Sequence, residues 1–275
     1  MAIKLGAVLC ADEVTPTSLE TLSCLGFETI NIAFWQSLGS FDLPQLAETV
    51  AESSLEVSAL SIFGNTLAGV DTLAGWESLI THSSLFGSPF VTGFAGRVTG
   101  KSVEDSLLLW KATFSSLLDL AYKHDCSGLL FENCRMGDLW KRGNWNIAIN
   151  GDAWALMFDA LDDPKLGLQW EPCHQVEAFL DPLMQLKEWI PRVKHVHGKD
   201  ARIDWEMLRH IGLYAPGKPI RSVLPGEGDS DWGAIIRILQ SGGYDGSIDI
   251  ETKSQKFFPD LEDKKRSLKY LQQYI

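Results

Sequence analysis

Four apolar runs in the second half of the chain end on side chains that can bind a cation or carry a proton. They close with Leu130-Phe131-Glu132-Asn133, Gln169-Trp170-Glu171-Pro172-Cys173-His174, His195-Val196-His197-Gly198-Lys199-Asp200 and Asp249-Ile250-Glu251-Thr252-Lys253. A single acid at a strand end is ordinarily a solvated cap. Four such ends in succession differ, because a closed barrel would aim Glu132, Glu171, His197 and Glu251 at one centre. Three carboxylates there repel one another unless a cation holds them. This oxygen-rich set with one imidazole suits Mn²⁺ first, then Mg²⁺ or Co²⁺; Zn²⁺ is less favoured for want of sulfur or further nitrogen.

The elements that must deliver these residues repeat along the whole chain: a short apolar run, a turn, then a longer amphipathic segment. Strands are expected at 3–10, 28–34, 56–63, 90–95, 128–132, 166–171, 193–197 and 247–251. Their lack of strict alternation suits parallel strands buried on both faces. Helices are expected at 44–54, 103–124, 153–161, 176–189, 232–240 and 261–274, the clearest being 103–124 with Leu107, Leu108, Phe114, Leu117, Leu118 and Ala121 at helical spacing. Eight strands with helices between them predict a single α/β domain over 1–275, a (β/α)₈ TIM barrel. The rival, an open doubly wound sheet, would announce a nucleotide site by a glycine-rich turn after an early strand. Gly-x-Gly occurs only late, at Gly226-Glu227-Gly228. The longest irregular stretch, 201–230, reads as a βα loop of the kind that covers barrel active sites.

Composition narrows the partners. The chain has 24 Lys+Arg against 36 Asp+Glu, a formal charge of −12, which argues against nucleic acid. Its 45% hydrophobic content is enough to fill a substantial core. Cys10, Cys24, Cys126, Cys134 and Cys173 are odd in number and fit neither a disulfide framework nor a Cys-x-x-Cys zinc site. They read as reduced thiols of a cytoplasmic protein, and no apolar run is long enough for a membrane helix.

Glu132, Glu171-x-x-His174, His197-x-Lys199-Asp200, Pro225-Gly226-Glu227-Gly228 and Glu251 together resemble the xylose isomerase-like TIM barrels. That superfamily contains sugar isomerases and epimerases, inosose dehydratase-like lyases and endonuclease IV-type nucleases. The motifs cover roughly 128–251 and are more specific for the superfamily than for a substrate. The ketose 3-epimerase branch implies Glu132, Glu171, His197 and Glu251 as metal ligands, with Glu132 and Glu251 also the proton-transfer pair. It implies substrate contacts for His174 and Asp138, with Lys199 in the same motif. Arg202 resembles a further substrate arginine but stands one residue closer to His197 than the family's. Glu171 replaces the usual Asp, and its extra methylene moves the carboxylate by about 1.5 Å. The resemblance also allows a homo-oligomer.

The chemistry this set could perform begins at a carbon next to a carbonyl. Removing its proton builds an enediolate, which a divalent cation on the adjacent oxygens would stabilise. Two carboxylates could then return the proton to the opposite face, giving epimerisation, or to the neighbouring carbon, giving isomerisation. Loss of a β-hydroxyl would give dehydration. The expected activity is therefore a metal-dependent isomerase or epimerase of a sugar or polyol, with an inosose-type dehydratase as the alternative. A nuclease is disfavoured, because Ser61-Ile62-Phe63-Gly64-Asn65 and Phe94-Ala95-Gly96-Arg97 end the third and fourth strands without histidine. A non-catalytic sugar-binding barrel is disfavoured because both proton-transfer carboxylates are present.

His195 is expected to be a hydrogen-bonded histidine one layer below His197. Trp35, Trp140 and Trp145 could line the mouth and face a sugar's C–H surface. The acids of Gly226-Glu227-Gly228-Asp229, with Asp231, favour an unphosphorylated substrate, although Arg97, Arg221, Lys253 and Lys256 could supply opposing charge.

Overall fold

The computed structural model describes residues 3–213, 215–252 and 260–275; Lys253 and Lys256 lie outside them. Eight parallel strands close a barrel: β1 (Lys4–Cys10), β2 (Thr29–Trp35), β3 (Glu56–Phe63), β4 (Phe90–Gly93), β5 (Leu129–Glu132), β6 (Leu166–Trp170), β7 (Val193–Gly198) and, last in the chain, β10 (Ser247–Ile250). Each pairs with its sequence neighbour, and β10 closes the ring between β7 and β1. All eight expected strands are present, within a residue or two at their ends.

Helices form the outer layer: α1 (Pro16–Leu25), α2 (Leu43–Ala51), α3 (Val70–His82), α4 (Val103–Lys123), α5 (Gly151–Ala160), α6 (Pro172–Glu177), α7 (Pro182–Trp189), α8 (Trp205–Ile211), α9 (Trp232–Ser241) and α10 (Leu261–Leu271). The helix expected over 176–189 is two helices. Pro182 has no N–H to continue the first and disfavours a helical Asp181, whose side chain instead caps α7 through the N–H groups of Leu183 and Met184. Helices α1 and α3 are not among the expected ones. In the fold, Pro16 opens α1 and Thr15 and Ser18 cap it reciprocally.

The stretch 201–230 is more ordered than a loop. It contains α8 and an antiparallel hairpin of β8 (Asp200–Ile203) with β9 (Ile220–Val223). One face of the hairpin carries Ala201, Ile203 and Ile220, which pack with Cys173 and Val176 of α6. The hairpin is thereby fixed beside the C-terminal end of the barrel, where β6 and β7 stop.

The outward faces of the strands pack apolar side chains against the helices in one continuous core, including the rings of Trp76, Trp110, Phe114 and Phe131 at 4.9–5.7 Å. The lumen is polar. Asp249 accepts hydrogen bonds from Thr29 (2.6 Å), His195 Nε2 (2.6 Å) and Ser58, and Gln169 donates to His195 Nδ1 at 3.1 Å. Gly6 makes room for this network: a Cβ there would lie 1.8 Å from Asp249 Oδ1 and 2.0 Å from Thr29 Oγ1. His195 thus sits below His197, as its strand position indicates. Burial holds its pKa down even though Asp249 accepts its proton.

Candidate metal centre

Glu132, at the last position of β5, and Glu171, Glu251 and His197, at the ends of β6, β10 and β7, converge above the polar lumen. One donor atom from each lies within 4.8 Å of the others, and all four residues are buried. His197 Nδ1 is the focus, 3.1 Å from Glu132 Oε1, 3.1 Å from Glu251 Oε2 and 3.5 Å from Glu171 Oε2.

The protonation of His197 follows from its other nitrogen. Asn31 on β2 donates from Nδ2 to the Ala59 carbonyl (2.9 Å) and to Ser61 Oγ (2.7 Å), which leaves its Oδ1 facing His197 Nε2 at 2.9 Å. An amide oxygen can only accept, so Nε2 carries the proton. In the neutral ring, Nδ1 is then a lone pair aimed at three carboxylates. The three carboxylates therefore draw positive charge to Nδ1. Burial pulls the imidazole's pKa down, yet they raise it well above its ordinary value, so the cluster is answered either by a proton on Nδ1 or by a cation in its place.

A divalent cation fits. Glu171 is fully buried, and among the described residues neither of its carboxylate oxygens makes a hydrogen bond. Nitrogens of His174 (3.2 Å), His197 (3.5 Å) and Lys199 (3.6 Å) lie near it, but not in hydrogen-bonding geometry. Leaving a buried carboxylate so poorly answered costs several kcal/mol. Ligands about 2.1 Å from a shared ion are about 3 Å from their neighbours, close to the 3.1–3.5 Å spacing around His197 Nδ1.

The charges around this centre perturb one another. Burial raises the pKa of Glu132, with Glu171 and Glu251 adding to the shift and His197 opposing it. Burial also acts to raise Glu251, but Lys199 and His197 outweigh it and hold that carboxyl well below its ordinary range. Lys199 Nζ is 2.8 Å from Glu251 Oε1; burial works against its charge, yet Glu171 and Glu251 raise its pKa. His174 is similarly buried, and Cys134, Glu171 and Glu177 more than restore its basicity. Its Nδ1 lies 2.9 Å from Glu177 Oε2, which orients Nε2 toward Glu171.

The other expected residues divide. Trp35 is half-exposed at the mouth, its ring 6.1 Å from Trp145 and 6.5 Å from Phe94. With Phe63, 6.3 Å from the His197 ring, these form an apolar wall opposite the carboxylates. Trp140 turns away and donates to Glu104 at 2.7 Å. Asp138 is buried in the loop after β5, where it accepts from the backbone N–H groups of Asn144, Trp145 and Asn146 at 2.8–2.9 Å and faces Arg97 at 3.7 Å. Its carboxylate is spent holding that loop. Arg202 is exposed on β8, paired across the hairpin with Arg221.

Three asparagines that position the centre were not among the expected residues. Asn31 orients His197. Asn133 clamps the Glu171 backbone, donating to its carbonyl at 2.9 Å and accepting from its N–H at 2.8 Å. Asn146 donates to the carbonyls of Glu132 and Cys134, both at 2.8 Å. Asn31 had a signal: a carboxamide in the otherwise apolar run Thr29-Ile30-Asn31-Ile32-Ala33-Phe34 needs a buried partner.

A family model described as xylose isomerase-like TIM barrel matches residues 19–274. The chain belongs to this family. This xylose isomerase-like barrel is similar to the inosose dehydratase of Lacticaseibacillus casei, with 34% identity over 95 residues, 34% of the chain and 32% of the relative. The match therefore spans about a third of the length of that curated relative. Among solved structures, it is similar to the IolI protein with a bound zinc atom, at 16% identity and a TM-score of 0.73 over 99% of both chains. It is also similar to D-psicose 3-epimerase of Clostridium cellulolyticum H10, solved with D-tagatose, at 11% identity and a TM-score of 0.72 over 99% of both chains. At these identities the two structures establish a shared fold.

Proposed function

We propose that this xylose isomerase-like barrel is a divalent-metal-dependent isomerase or epimerase of a sugar or polyol-derived ketone. The observation that carries the reading is the convergence of Glu132, Glu171 and Glu251 on His197 Nδ1, whose proton-bearing nitrogen is turned away by Asn31. Glu132, Glu171, His197 and Glu251 would hold the ion, Mn²⁺ first among the candidates. When bound, it would supply Lewis-acid stabilisation of charge developing on the substrate's oxygens. Glu132 and Glu251 approach from different strands and act as the proton-transfer pair, one removing the proton beside the carbonyl and the other returning one. Lys199 holds Glu251 in place. His174, braced by Glu177, meets a substrate oxygen. Trp35 and its aromatic neighbours cover the C–H face of the sugar and keep water out. The five free cysteines are in keeping with a reducing, cytoplasmic setting.

The inosose dehydratase relatives favour a second reading, in which the same proton is removed and His174 protonates a departing β-hydroxyl. A screen of free ketoses and inososes in deuterated water separates the two. Deuterium entering carbon without loss of water supports the isomerase or epimerase, and net loss of water supports the dehydratase. The absence of both, in metal-loaded protein across the panel, refutes the proposed chemistry.

A further inference from the structure

The β8–β9 hairpin carries positive charge that its surroundings leave unanswered. Arg202 and Arg221 are direct cross-strand partners, so their side chains leave the same face. Like charges opposite one another in a ladder are destabilising. Lys218, just before β9, lines one cleft of about 780 Å³ together with both arginines. Among the described residues, none of the three side chains makes a hydrogen bond or an ion pair.

The acids nearby are committed elsewhere. Glu177 braces His174 at 2.9 Å and accepts from Ser222 at 3.3 Å. Glu227 pairs with Arg266 at 3.1 Å. Asp229 accepts from the Ile203 N–H, and Asp231 caps α9 through the Ala234 N–H, both at 2.8 Å. The acidic turn that argued against phosphate in the sequence is therefore occupied with holding the hairpin and its neighbours.

The cleft also continues toward the metal centre. It shares Ser222, Val223 and Glu227 with a smaller cleft of about 160 Å³ lined by Lys199 and Glu251. Arg202, on β8, stands three residues past Lys199, which lies between β7 and β8, roughly 10 Å of extended backbone at about 3.4 Å per residue. A pentose or hexose chain reacting beside Glu251 could place its far end at the arginine pair.

We propose that this cleft binds an anionic substituent, a phosphate or a carboxylate, on the substrate carbon farthest from the reacting ketone. Two guanidinium groups and an ammonium suit such an oxyanion, because each arginine can present a planar fork to two oxygens. The assignment rests on the sugar-ketone reading above and deepens it to an acidic sugar.

The test measures binding to metal-loaded full-length protein by titration calorimetry, with D-fructose, D-fructose 6-phosphate, D-fructuronate and inorganic phosphate as probes. At least one charged sugar should bind ten-fold or more tightly than D-fructose. Arg221→Ala should remove that preference and leave D-fructose binding as it was, and Arg221→Lys should retain part of it, which separates lost charge from lost folding. Added salt should weaken only the charged probes. A preference for the phosphate ester alone identifies a phosphate site, and for the uronate alone a carboxylate site. Equal affinity for charged and neutral sugars, no binding of any anion, or a preference unchanged in Arg221→Ala would overturn the assignment. Turnover is scored separately. An Arg221-dependent anion preference without turnover leaves the cleft standing and removes the isomerase reading; turnover with no such preference does the reverse.

Discussion

Replacing Asn31 by leucine tests whether His197 is oriented for an ion. The two side chains share heavy-atom number and branching, so the change deletes the polar contacts, while leucine's two methyl groups add bulk whose packing cost is read separately from the melting transition. Lost are the acceptor for His197 Nε2 (2.9 Å) and the donations to Ala59 O (2.9 Å) and Ser61 Oγ (2.7 Å). Ser61 keeps Thr92 as a partner at 2.5 Å. The buried Nε2–H of His197 is the group left most exposed to penalty, at about 1–3 kcal/mol. Removing the acceptor that fixes a ligating histidine typically costs about 10–100-fold in metal affinity, or about 1.4–2.7 kcal/mol. Calorimetric titration of Mn²⁺ into chelator-stripped protein should show that loss, with circular dichroism reporting the fold. Ser61→Ala is the control: it removes a contact to Asn31 without touching His197, and should cost about 1 kcal/mol of stability while leaving metal affinity within about two-fold. A folded Asn31→Leu protein that binds Mn²⁺ as tightly as the wild type would falsify the argument from Asn31 to His197.

Glu251→Gln should lower turnover by about 10²–10⁴-fold, the range for loss of a general acid or base, with a smaller effect on the melting temperature; an unchanged rate removes Glu251 from proton transfer. Exhaustive chelation should abolish activity, restorable by Mn²⁺ or Co²⁺. Relative to a sample holding ion at 100 times its dissociation constant, chelated protein should lose about 2.7 kcal/mol, lowering the melting temperature by roughly 5–11 °C; full activity and an unmoved transition after metal removal would contradict the site. Burial raises the thiol pKa of Cys126 and of Cys173, whereas Cys24 is exposed. At pH 8 the buried pair is therefore poorer in thiolate, and a thiol reagent should label Cys24 first and reach the other two only on unfolding; rapid labelling of Cys126 in the native protein would show that its surroundings open.

The barrel was legible because its evidence is local. A parallel strand covered on both faces announces itself as an apolar run, and a βα repeat leaves few other topologies. The candidate ligands were legible for a related reason: barrel closure turns positions distant in sequence into neighbours, so reading strand ends alone gathered Glu132, Glu171, His197 and Glu251. What stayed hidden depends on pairings that no local pattern encodes. Asn133 and Asn146 hold the backbone of residues 38 and 12–14 positions away, and neither interrupts a periodic pattern. Asp138 shows the converse: the resemblance implies a substrate contact there, and in the fold both of its oxygens accept from backbone N–H groups of its own loop.

The hairpin shows why counting charge along the chain gives the wrong local sign. Read linearly, Glu227, Asp229 and Asp231 make the segment after β9 acidic. In the fold, Arg266 answers Glu227, and the two aspartates accept from backbone N–H groups of Ile203 and Ala234. The antiparallel register places Arg202 against Arg221. Net charge governs long-range attraction, but a bound ligand meets only the charges left unpaired within about a Debye length, roughly 8 Å at physiological salt. At this cleft those charges are positive, on a protein whose total is −12. Such a combination would repel most anions at a distance and retain one that also fits the carboxylate-lined centre beyond, so selectivity would arise from the distance between the two charges rather than from either alone.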